Sequence, residues 1–106
     1  MAKTKFNLSV SPTFKAKVLI PIPGKTAEPV EFTFKGRTRD EFRKFVDDLK
    51  DREDVNVVMD IASGWDLEDA FDEVNVEILT QNYLGAARAI IEKYLNELTQ
   101  ARLGNS

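Results

Sequence analysis

The sequence predicts an α+β fold: an N-terminal antiparallel β-hairpin followed by four or five packed helices. Apolar side chains recur at every second position over Phe14, Ala16, Val18, Ile20 and Ile22, and again at Val30, Phe32 and Phe34. Period two marks strands with one buried face. From Thr38 onward the apolar spacing changes to threes and fours, the period of helices with a buried stripe. At 106 residues the chain fits one domain, and a chain of this size can bury roughly 60–70% of its unfolded surface. We expect a flexible N-terminal segment over 1–13, broken at Ser11-Pro12, and a single domain over 14–106.

Between the strands, Pro23-Gly24 is a type II turn pair, and Lys25–Pro29 is expected to lengthen it into a loose loop. An isolated hairpin is marginal in water, so its apolar face must be covered by helices or another chain.

Thr38 and Glu41 have the spacing of a capping box, which satisfies orphan N–H groups at a helix start. Phe42, Phe45, Val46 and Leu49 then form a stripe of about 100°, the width of one core-facing side. That helix is expected to leave nothing over for a partner. Asp54 is the expected N-cap of a shorter helix with Val55, Val58, Met59 and Ala62 inward, ending at Ser63-Gly64. Asp66 with Asp69 resembles another cap, and Trp65 is expected to wedge the two helices apart and fill the gap.

Over Glu73–Asn82, Val74 and Ile78 share one side with Phe71, whereas Val76, Leu79 and Tyr83 lie roughly opposite. A helix apolar on two sides is sandwiched or faces an unseen partner. From Gly85 to Arg102 the apolar set is Ala87, Ile90, Ile91, Tyr94, Leu95, Leu98 and Ala101, with Gly104 as the expected C-terminal cap. Its arc of about 140° is wider than one core contact needs.

The chain has no cysteine and no histidine. The first absence excludes disulfides, thiolate nucleophiles and sulfur-ligated metals; the second removes the commonest general base and metal ligand. Gly24-Lys25-Thr26 ends like a phosphate-binding loop, but Leu19 occupies the place of its first glycine. Asp66, Glu68, Asp69, Asp72 and Glu73 lack the spacing of a calcium loop and suit helix starts better. Lys93 and Tyr94 have no evident partner for acid–base work. We therefore expect no catalytic residue, no cofactor and no metal. No apolar run approaches the ~20 residues of a membrane span, and the start Met-Ala-Lys-Thr-Lys lacks a signal peptide's apolar stretch. A soluble cytoplasmic protein without a membrane partner is the expectation.

Charge is uneven along the chain. Residues 1–53 carry 12 Lys/Arg against 8 Asp/Glu, and residues 54–106 carry 3 against 10. A basic half suits nucleic acid, and a small regulatory or DNA-binding helical protein is the alternative reading. Its only recognition candidates, Arg37, Arg39, Arg43 and Lys44, are accompanied by Asp40, Glu41, Asp47 and Asp48. A solvated surface without nucleic acid is the better expectation, and the asymmetry suits copies of the chain meeting head to tail.

Several segments taken in order carry a resemblance. They are Phe32-Thr33-Phe34-Lys35 before a capped helix, Gly64-Trp65-Asp66-Leu67, and Ala87-Arg88-Ala89-Ile90 with Tyr94-Leu95 and Leu98. Ala101-Arg102-Leu103-Gly104-Asn105 closes the series. From about Phe14 to Asn105 the chain resembles the tail assembly chaperone family of long-tailed bacteriophages and their prophages. It departs at Leu84, where a proline would be expected before Gly85-Ala86-Ala87. The resemblance implies a non-enzymatic chaperone that binds the tape measure protein, keeps it soluble, and helps recruit tail tube protein. It also implies a minor, C-terminally extended form made by frameshifting, which brings in the tube protein. The expected location is the host bacterial cytoplasm, with absence from the mature virion. From the two wide helices we expect the partner surface around Ile78, Tyr83, Ile91, Leu95 and Leu98, with the hairpin face as a second contributor. The same patch would allow self-association while the tape protein is absent.

Overall fold

Phe32 and Phe34, both fully buried, mark the strand on which the fold is assembled. The computed structural model describes residues 4–6 and 8–99. Strand β1 spans Thr13–Ile22 and strand β2 spans Lys25–Lys35. They pair antiparallel with Phe14 opposite Phe34, Ala16 opposite Phe32 and Val18 opposite Val30. The alternation read in the sequence is realised: Val18, Ile20, Val30, Phe32 and Phe34 are buried, with Lys15, Lys17 and Leu19 on the outer side.

The loose loop over Lys25–Pro29 is not formed. Lys25 pairs with Ile22 and Pro29 with Leu19, so Pro23-Gly24 alone makes the turn. Gly24 has φ 77°, as the third residue of a type II turn requires. Backbone pairing does not depend on apolar side chains, so a polar stretch can continue a ladder. Pro29 is tolerated because β2 has no second neighbour there.

Helix α1, Arg39–Leu49, starts with the predicted capping box. The Thr38 hydroxyl accepts from the Glu41 N–H at 3.2 Å, and the Glu41 carboxylate accepts from the Thr38 N–H at 2.8 Å. Its burial is narrower than predicted. Phe45 alone is fully packed, Phe42 and Leu49 are half-buried, and Val46 is 42% exposed. The helix therefore does have apolar surface left over.

Helix α2 spans Asp54–Ile61, and its N-cap is Glu53 without a side-chain bond, so Asp54 is not the cap. Val57, Val58 and Ile61 are buried, while Val55 and Met59 are half-buried. Ala62 leaves the helix. Ala62–Trp65 forms a third strand, β3, antiparallel to β2 in the order β1-β2-β3. The predicted helix end at Ser63-Gly64 is thus a strand, with Gly64 opposite Thr33 and Trp65 opposite Phe32.

Trp65 consequently does not wedge two helices apart. It is half-buried at the end of β3, edge-on to Phe32 at 5.9 Å and to Phe71 at 5.1 Å, and its indole N–H donates to the Asp69 carbonyl at 2.7 Å. Nor does Asp66 with Asp69 cap a helix. Asp66 continues the ladder: its N–H donates to the Glu31 carbonyl and its carboxylate accepts from the Glu31 N–H, both at 3.0 Å. Residues 66–72 are irregular, and helix α3, Glu73–Asn82, is capped instead by Asp72, which accepts from the Asn75 N–H.

Helix α4, Ala86–Thr99, packs against β1 and α2. Ala101 and the Gly104 cap lie outside the described residues, as does part of the 1–13 segment. Among the described residues the fold is a three-stranded sheet with four helices, α+β as predicted. Trp65→Ala should cost about 3 kcal/mol, at the low end for truncating a packed aromatic. Chemical denaturation of the variant checks this; an unchanged midpoint would make Trp65 a contact residue instead of a packing one.

Candidate partner-binding surface

The open apolar surface lies on α3 and the turn that follows it. Asp72 fixes where α3 begins, and the Asn75 side chain donates back to the Ala70 carbonyl at 2.8 Å. With that start, Val76 points inward and is fully buried, and Leu79 is half-buried beside it. Val74 and Ile78, one turn apart on the other side, are 68% and 50% exposed. The helix apolar on two sides therefore buries only one of them.

The turn into α4 carries the surface further. Tyr83 ends α3 and is 37% exposed, and Leu84 beyond it is 89% exposed. The Ala86 N–H donates to the Tyr83 carbonyl at 2.9 Å, closing a tight turn. A Cβ on Gly85 would lie 3.1 Å from Pro21, so the glycine lets the turn rest on β1 with Leu84 pointing away. The absent proline at Leu84 is no obstacle to this turn.

The five predicted contact residues do not share one face. Ile78 and Tyr83 belong to the open surface. Ile91 is half-buried and lines a groove of about 280 Å³ with Leu49, Val57 and Leu84, rimmed by Arg52, Asp54, Arg88 and Glu92. Leu98 lines a separate hollow of about 250 Å³ with Arg37, Thr38, Arg39 and Phe42. Leu95 is half-buried, and Ile91, Leu95 and Leu98 all pack against the core cluster. Much of the extra width of α4 is thus spent on the core. Val74 and Leu84 are also exposed, although neither is among the residues expected from the sequence; only the two-sided pattern of residues 73–82 points to Val74.

Around Tyr94, polar groups are paired with one another. The Tyr94 hydroxyl donates to the Lys35 carbonyl at 2.8 Å and accepts from Arg37 at 2.7 Å. Arg37 also bonds Asp60 at 2.9 Å, and Arg52 reaches the same carboxylate oxygen at 2.8 Å. Burial pushes the Asp60 carboxyl upward, but the Arg52 hydrogen bond and the charges of Arg37 and Arg52 outweigh it, leaving its pKa below the ordinary value. Burial raises the Tyr94 pKa, with Arg37 pulling the other way. Arg37 is thereby withdrawn from any basic recognition surface: its side chain is 14% exposed and its guanidinium lies 4.6 Å over the Phe45 ring. Among the described residues no buried side-chain nitrogen or oxygen lacks a partner. Among them, too, no three acidic side chains are placed to hold a metal, and no helix is long and apolar enough to cross a membrane.

The described residues thus form a small sheet backed by helices, with buried polar groups paired and apolar side chains left exposed on α3 and the turn after it. A family described as phage tail assembly chaperone matches residues 1–105, and the chain belongs to that family. No curated protein and no solved structure matches it.

The Asp60 pairing predicts an acid dependence. A depressed folded pKa contributes stability that is present above the unfolded aspartate value of about 3.9. That stability is lost as pH falls through the folded value. Asp60→Asn should lower stability by about 1–2 kcal/mol at neutral pH. Denaturant melts across the acid range should show the gap between variant and parent closing as the parent's Asp60 protonates.

Proposed function

We propose that this chain binds the tape measure protein, holds it soluble and extended, and releases it as tail tube subunits polymerise around it. Besides family membership, the observation that carries this reading is the set of exposed apolar side chains Val74 and Ile78 on α3 and Tyr83 and Leu84 at its end. Exposed apolar patches mark interaction sites. A long helical partner with apolar faces aggregates unless those faces are covered, and an amphipathic helical surface can cover them. Release requires moderate contacts repeated along the partner in place of one tight site.

The proposed contact surface includes Ile78, Tyr83, Ile91, Leu95 and Leu98. The groove that Leu84 and Ile91 share is its supported extension, and exposed Leu19 on the outer hairpin face is a second contributor. Tail tube protein is the second partner, brought in by a frameshifted extended form, and a second copy occupies the surface while the tape is absent. The working unit is the single domain over 14–106. It acts in the host cytoplasm without catalysis, cofactor, membrane or nucleic acid, and is not retained in the mature virion. Arg37, turned inward onto Tyr94 and Asp60, supports this over a DNA-binding role.

Co-expression with the tape measure protein tests the surface. Ile78→Glu and Leu84→Glu should keep the parent's circular dichroism and melting curve yet leave the tape insoluble. Leu95→Glu should be less stable, because Leu95 is half-buried against the core. A folded Ile78→Glu protein that still solubilises the tape would place the contact surface elsewhere.

A further inference from the structure

Between Arg52 and Arg88 the chain contains no lysine or arginine, while nine carboxylates fall in that stretch. Helix α3 lies wholly within it. At 3.6 residues per turn, Glu73 and Glu77 form a row on the helix surface directly beside the outward row of Val74 and Ile78. Both glutamates are exposed, and both line a groove of about 370 Å³ with Asp51, Arg52, Glu53, Val55 and Asn56. The one cation there is already committed, since Arg52 bonds Asp60 at 2.8 Å and Asn56 at 2.6 Å. None of the ion pairs among the described residues reaches Asp51, Glu53, Glu73 or Glu77. Nor do these carboxylates converge into a chelating cluster. They form an extended negative field along an apolar ridge, which suits cations spaced along a chain better than a single ion.

We propose that the outward face of α3 docks a basic amphipathic helix of the partner. Its apolar side chains lie on Val74 and Ile78, and its Lys or Arg side chains lie over Glu73, Glu77 and the adjoining acidic groove. The inference rests on the tape-binding reading and deepens it: the bound segment carries cations flanking its apolar row. Opposite charge beside an apolar contact steers encounter and fixes register. A helix fits because a helical ridge accepts another at 8–10 Å between axes. This chain's own exposed apolar segment, Phe6, Leu8 and Val10 after Lys5, has the period-two spacing of a strand and fits such a ridge poorly. The cations of α1 share their helix with Asp40, Glu41, Asp47 and Asp48 and offer no comparable field.

Two synthetic helical peptides of about five turns, with the same leucine spacing but lysine or glutamate flanks, are titrated against the full chain. Amide chemical shifts are followed at low and high salt. The lysine peptide should shift the Glu73–Asn82 amides, and its dissociation constant should rise about tenfold with added salt. The glutamate peptide should bind at least about tenfold more weakly. Val74→Ser/Ile78→Ser should abolish binding, and Glu73→Gln/Glu77→Gln should erase the preference for lysine. Equal binding of the two peptides, or binding of neither, overturns the inference. So does sedimentation showing a parent dimer that the Val74→Ser/Ile78→Ser variant loses and that the lysine peptide cannot displace. Tape co-solubilisation is scored in parallel to separate the two readings. A Glu73→Gln/Glu77→Gln protein that solubilises the tape like the parent at every salt concentration sinks the inference and spares the chaperone role. A parent protein that never solubilises the tape sinks the chaperone role itself.

Discussion

The Tyr94 hydroxyl is the constraint on which the remaining structure depends. Its ring is fully buried against Phe14 at 6.1 Å, Phe34 at 5.3 Å and Phe45 at 5.8 Å, so α4 is joined to both long strands and to α1 by one side chain. A phenol in that position cannot leave its oxygen unpaired without a penalty of about 1–3 kcal/mol. Its partners, the Lys35 carbonyl and Arg37, come from the end of β2 and the connection into α1. The path of that connection is therefore set by a helix nearly sixty residues further along the chain. Arg37 extends the link to Asp60 on α2, so β2, α1, α2 and α4 meet at one network.

What could be read from the sequence follows from how local each signal is. The β1–β2 pair and the Thr38 capping box rest on neighbouring residues, and both form as predicted. Strand β3 had no such signal. Ala62-Ser63-Gly64-Trp65 is too short to show period two, and its partner is the open edge of β2, some thirty residues away. The acids misled for a related reason. A carboxylate before an apolar run suits a helix dipole wherever it falls, but only the chain's path decides which one meets free N–H groups. Asp72 does so at α3, whereas Asp66 meets the Glu31 N–H and lengthens the sheet.

Periodicity also cannot tell inside from outside when a helix is apolar on both sides. For α3 the choice is made by α2, which packs on the side of Val76 and leaves Val74 and Ile78 to solvent. For α4 the wide arc suggested spare surface, yet a helix crossing a sheet while touching α2 needs that width for itself. Helix α1 errs in the opposite direction. Its stripe has the width of a full core contact, but α1 engages the core chiefly through Phe45, with the Arg37 guanidinium stacked on that ring. Arc width measures how much apolar surface a helix owns, and the neighbours determine how much of it is covered.

The consequence is a division between where the chain is held together and where it is open. The aromatic cluster around Tyr94 and the Arg37–Asp60 pairing lie toward α1, α2 and the sheet. Exposed Val74 and Ile78 lie on α3 and exposed Tyr83 and Leu84 at the turn after it, with Val76 buried behind the helix and Asp72 capping its start. Exposed side chains contribute little to folding, so contacts at these residues would leave the packing behind them undisturbed. The proposed chaperone role, covering an apolar partner for a time and then releasing it, would need that independence. Binding energy drawn from core residues would tie each release to a partial unfolding, whereas side chains already in water return to water at no structural cost.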